Sequence, residues 1–133
     1  MKRSVLLTIT SLLSILLTAV HLSDDIVRGF DPGGFQVVRG ALILVVWLFG
    51  TLVLYERRSG YIIMLLGAML GSLIPLVHMR GAGIVGGRIA HSSGMLFWVW
   101  TIIMLHITAN FSLILSLLGL WSFPWRRGTA KTS

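Results

Sequence analysis

Cysteine is absent from this chain, which removes disulfides, thiolate nucleophiles and cysteine-based zinc or iron-sulfur sites and says little about the redox compartment. Charge is scarce: 11% of the 133 residues are charged and only four are acidic, too few to clothe a soluble domain. Two catalytic motifs are missing as well, the Gly-x-Ser-x-Gly elbow and the His-Glu-x-x-His zinc signature. Ser92 and Ser93 adjoin His91 but have no placed base or oxyanion donors. Asp24 and Asp25, as neighbours on a helix, point about 100° apart and do not form a convergent dyad. An enzyme is therefore not indicated.

Apolar residues fill the chain instead, at 56% of positions and a mean hydropathy of +0.91. They gather in four stretches, 4–22, 37–55, 60–78 and 93–120. Each is long enough to cross a bilayer, because about 20 helical residues at 1.5 Å rise span a hydrocarbon core of roughly 30 Å. The expected fold is an all-α membrane protein, one transmembrane domain over residues 1–133 with four helices in an up-down-up-down bundle. The stretch at 93–120 exceeds what a bilayer demands, so that helix should tilt or project.

The formal charge of +7 would suit nucleic acid, but its distribution points to membrane topology. Lys2, Arg3, Arg57, Arg58, Arg126, Arg127 and Lys131 fall on one side; Arg28, Arg39, Arg80 and Arg88 fall on the other, offset by Asp24, Asp25 and Asp31. The positive-inside bias puts both termini in the cytoplasm of a bacterial-type inner membrane. Lys2 and Arg3 ahead of an apolar run also resemble a secretory signal. The run is long and lacks a small-x-small cleavage site before Asp24, which favours a retained helix over a cleaved leader with three remaining spans. Tyr55 and Tyr61, and Trp121, Phe123 and Trp125, read as interfacial anchors. The expected partner is lipid, with no nucleic acid, and with a membrane protein or a second copy as a further candidate.

Polar residues inside the spans carry the functional reading. Ser4, Thr8, Ser11, Thr18, His21 and Asp25 recur along one side of the first helix, a side that should face protein either to pack or to form a polar conduit. Gly67 and Gly71, with Ala68 and Ser72 beside them, allow a neighbouring helix to approach closely, and an intramolecular contact is favoured over a homodimer. Pro75 should loosen the third helix just before His78. In the expected topology His21, His78 and His91 share the outer end, and Asp24 and Asp25 lie three and four residues after His21. Imidazole and carboxylate suit transition metals, so His21, Asp24, Asp25, His78 and His91 are the candidate ligands, with Arg80 and Arg88 set back as anion or lipid contacts. Ion pairing among these aspartates and arginines is the competing explanation.

His106 and Asn110, four residues apart in the fourth span, should form an interior polar pair. They would make an interhelical hydrogen bond or contact a quinone or haem. The Gly81–Gly86 stretch matches the letters of a dinucleotide fingerprint but lacks the strand and the βαβ setting such a site needs, so it reads as an ordinary connection or a flap over the outer pocket. Asp31-Pro32-Gly33-Gly34 reads as a turn into the second helix. Three functions follow: a binding or transport-accessory protein holding a transition metal ion or small ligand, a bis-histidine carrier of haem b, and a scaffold without a ligand.

Overall fold

A computed structural model describes residues 2–30, 34–78, 91 and 93–122. They form four helices, α1 (Arg3–Val27), α2 (Phe35–Leu52), α3 (Arg58–His78) and α4 (Met95–Trp121), each long and apolar enough to span a membrane. Their outward faces carry leucine, isoleucine, valine and phenylalanine, the surface a bilayer solvates. Hydroxyl side chains do not interrupt the helices because they donate to the carbonyl one turn back, as Thr8 does to Ser4 and Thr18 to Ser14.

α1 extends five residues beyond Leu22, where the apolar run ends. Ser23, Asp24 and Asp25 would favour a break there, but each has a local or tertiary partner: Ser23 donates to the Ala19 carbonyl, Arg28 donates to Asp24, and Trp98 donates to Asp25. α2 stops at Leu52, three residues short of the end of its apolar stretch, and a turn leads into α3 at Arg58. α4 starts after Gly94, whose φ of +70° belongs to the left-handed region that favours glycine. The Asp31-Pro32-Gly33 part of the expected turn, the Gly81–Gly86 stretch, Arg80, Arg88, Phe123 and Trp125 lie outside the described residues.

Each helix touches two neighbours, in the cyclic order α1, α2, α3, α4, with a slighter contact between α1 and α3 and none between α2 and α4 among the described residues. α1 and α4 are stitched at both ends: Arg3 reaches Ser122, and Asp25 accepts from Trp98. Between them Ser112 Oγ donates to Thr10 Oγ1 at 2.9 Å. α1 and α2 are joined by a hydrogen-bonded loop of side chains that begins and ends on one residue. Trp47 Nε1 donates to Ser11 Oγ at 2.9 Å, Ser11 Oγ meets Thr51 Oγ1 at 2.8 Å, and Thr51 Oγ1 donates to the Trp47 carbonyl at 2.9 Å. All three residues are buried, so no polar atom of the loop faces hydrocarbon.

Gly67 and Gly71 set the approach of the third helix. A side chain at Gly67 would enter the Trp47 ring, and one at Gly71 would lie 3.0 Å from the Ala109 Cβ and 3.5 Å from Trp47. The two glycines thus receive α2 and α4 on adjoining faces, as small residues do in membrane bundles. Tyr61, at the start of α3, is half-buried and packs where any side chain at Gly119 would stand, whereas Trp121 is exposed.

Candidate metal centre

The C-terminal ends of α1 and α3 meet the N-terminal end of α4, and three ionisable residues converge there. His21 and Asp25 lie one turn apart on α1, the spacing that puts both side chains on one face. His78 is the last residue of α3. Asp25 Oδ2 lies 3.3 Å from His21 Nε2 and 3.4 Å from His78 Nε2, and one ligand atom from each of the three residues falls within 4.8 Å of the others. The imidazole rings meet edge to face at 4.8 Å between centroids.

Trp98 was not legible as a site residue in the sequence. It is completely buried, its ring centroid is 5.3 Å from His78 and 5.7 Å from His21, and its Nε1 donates to Asp25 Oδ1 at 2.9 Å. That bond holds the carboxylate with its other oxygen turned toward the imidazoles. The available signal is general: a tryptophan buried in an apolar span needs an acceptor for its N–H, and acidic residues are few.

Hydrogen bonding fixes the protons. His78 Nδ1 donates to the Ile74 carbonyl at 2.8 Å, so its Nε2 presents a lone pair when the ring is neutral. A lone pair facing a carboxylate oxygen needs a cation between them, whether a proton or a metal. His21 is 4% exposed, and neither of its ring nitrogens has a hydrogen-bond partner. Its short separation from Asp25 is an ion-pair distance without hydrogen-bond direction. Leaving a buried donor or acceptor unpaired costs about 1–3 kcal/mol, which a cation bound at Nε2 would offset for that nitrogen.

The other expected ligands stand apart. Asp24 points away and accepts from Arg28 Nε at 2.7 Å, while Arg28 also donates to the carbonyls of Ser93 (2.6 Å) and Gly94 (3.2 Å). Among the described residues an arginine thus accounts for Asp24, whereas the ion-pair partners of Asp25 are the two imidazoles. His91 is exposed and lies outside the cluster. The pair expected inside the bundle is arranged differently: His106 is exposed on the outer surface of α4 with Nδ1 donating to the Ser72 carbonyl of α3 at 3.2 Å, and Asn110 Nδ2 donates to the His106 carbonyl. Each group thus gives one N–H to a backbone carbonyl without an interior position. Asp24→Asn should leave metal stoichiometry unchanged and cost about 1 kcal/mol or less of stability, checked by elemental analysis and thermal unfolding in detergent.

A cavity of about 450 Å³ adjoins the cluster between α1, α2 and α3, with His21, Asp25 and His78 at one end and mainly aliphatic walls toward Trp47 and Leu70. No family model, curated protein or solved structure matches this chain.

Proposed function

We propose that this protein is a four-span protein of a bacterial-type inner membrane, with an up-down-up-down topology and both termini cytoplasmic, that binds a transition metal ion at its outer end through His21, Asp25 and His78. The observation that carries the reading is His21, buried with two unpartnered ring nitrogens beside a carboxylate oxygen that a second imidazole also faces.

Metal geometry agrees. Zinc-type bonds of 2.0–2.2 Å to nitrogen and oxygen give tetrahedral edges of about 3.3–3.6 Å. The two nitrogen-to-oxygen separations, 3.3 and 3.4 Å, fall at that length. The imidazole nitrogens lie within 4.8 Å of each other, so a bound ion would have to draw them together to complete the third edge. The outer contact of His78 fits as well, because ligating histidines ordinarily donate their second N–H to a carbonyl or carboxylate, as His78 does to Ile74. Two nitrogens and one oxygen suit Zn²⁺, Fe²⁺, Mn²⁺, Ni²⁺ or Cu²⁺ rather than Cu⁺, which favours sulfur, or Ca²⁺, which takes six or more oxygens.

The bis-histidine haem alternative finds no support at this pair. Axial imidazoles stand on opposite faces of a porphyrin, whereas His21 and His78 touch edge to face with no gap for a macrocycle. His106 lies on the outer surface, away from both. The Ser11–Thr51–Trp47 loop supports a locking role for polar side chains, but that role leaves the cluster unexplained.

Elemental analysis of the detergent-purified full chain tests the proposal, together with Co²⁺ titration read by visible absorption. About one ion per chain and a tetrahedral Co²⁺ band displaced by Zn²⁺ are expected; no retained metal and no cobalt band would refute it. Trp98→Phe should weaken Co²⁺ affinity about 10- to 100-fold, the usual loss for an outer contact to a ligating carboxylate.

A further inference from the structure

The cavity extends well beyond what an ion needs. From His78 back to Leu70 it follows nine residues of α3, about 12 Å of helix, and its far end is floored by Trp47. Its walls are almost wholly apolar, and its polar groups other than Thr18 and the Trp47 N–H, which Ser11 accepts, are the three at the cluster. Pockets of roughly 300–1,000 Å³ with apolar walls and a few convergent polar groups are the usual form of small-molecule sites. His21, buried and unpartnered, lines this one.

Charge narrows the occupant. Among the described residues no Lys or Arg lines the cavity, and Asp25 stands at its polar end, so an anionic head such as a fatty acid or a phospholipid phosphate would meet repulsion without a counter-charge. A cationic head would compete with the metal. A neutral head with a carbonyl or hydroxyl oxygen fits both the coordination chemistry and the field. Three protein ligands leave a tetrahedral ion one open position, the arrangement of sites that accept an exogenous oxygen.

We propose that the cavity binds a neutral membrane-soluble molecule of the quinone class, whose ring lies along the apolar walls and whose oxygen takes the fourth position on the ion. Its tail leaves toward lipid past the exposed Ile43 and Val77 at the rim. The proposal rests on the metal reading, because the oxygen is bound through the ion.

Decylubiquinone is the probe, titrated into the full chain in detergent with tryptophan quenching as the readout. Saturable binding near one per chain is expected, at least 10-fold tighter with Zn²⁺ loaded than after chelation. Ile43→Phe and Val77→Phe, which narrow the rim without touching a ligand, should weaken quinone binding at least 10-fold and leave zinc stoichiometry unchanged. Zinc retained at one per chain with only non-saturating quenching, or with quenching indifferent to both rim variants, overturns the quinone assignment and leaves the metal reading intact. A chain that retains no zinc overturns the metal reading and the coordinated quinone with it. Saturable binding of equal strength with and without zinc overturns the coordination through the ion.

Discussion

Replacing His21 with leucine is expected to lower metal affinity at least 100-fold while leaving the metal-free bundle as stable as the parent, or more so by up to about 2 kcal/mol. The affinity loss exceeds that for an outer contact because a ligand itself is removed. The stability prediction follows from burial: His21 is 4% exposed and neither ring nitrogen is hydrogen-bonded, so in the metal-free protein only the 3.3 Å approach to Asp25 offsets its desolvation. Leucine of similar volume removes that cost and keeps the packing against His78 and Trp98. Co²⁺ absorption and thermal unfolding in detergent, with and without Zn²⁺, separate the two effects. A histidine that merely locked helices would behave in the opposite way: His21→Leu would destabilise the metal-free protein, and Zn²⁺ would never have raised the parent's unfolding temperature.

Gly67→Val should be strongly destabilising, away from the cluster of His21, Asp25 and His78. Its side chain would occupy the Trp47 ring, which is buried and held by the loop through Ser11 and Thr51. Overpacking of this kind costs about 1–3 kcal/mol and more where neighbours cannot shift. Gly71→Ala should cost less, because its nearest neighbour, the Ala109 Cβ, lies at 3.0 Å and needs only a small adjustment. Trp47→Leu makes room while breaking the loop, so the Gly67→Val, Trp47→Leu double variant should be less destabilised than the sum of the singles, by about 0.5–3 kcal/mol. Reversible denaturation in mixed micelles measures all four. Strict additivity would mean that Gly67 does not meet Trp47 in the folded protein.

Gly67 was readable in the sequence as a close-packing position, whereas its neighbour Trp47 was not. Long apolar runs locate helices because a bilayer allows no unpaired backbone, and the histidine–carboxylate spacing of His21 and Asp25 follows from helix periodicity alone. His78 joins them because it closes the third span. Trp98 depends on the register of α4 against α1, which sequence periodicity does not contain. The two adjacent aspartates separate for the same reason: only the path of the chain beyond Val27 decides that Arg28 takes Asp24 and leaves Asp25 to the imidazoles. His106 misled because depth in a span suggests an interior position, yet α4 is apolar on nearly every side and a nearby backbone carbonyl is partner enough.

The hydrogen-bonded loop of Ser11, Trp47 and Thr51 is contained entirely within the first two spans, whereas the ligand set draws on the first and third and is oriented by the fourth. During synthesis the first pair can therefore settle as a hairpin, its polar atoms already matched, before the rest of the polypeptide leaves the ribosome. Asp25 meets its partners only once His78 and then Trp98 have joined the bundle, so the cluster of ionisable groups assembles after the hairpin.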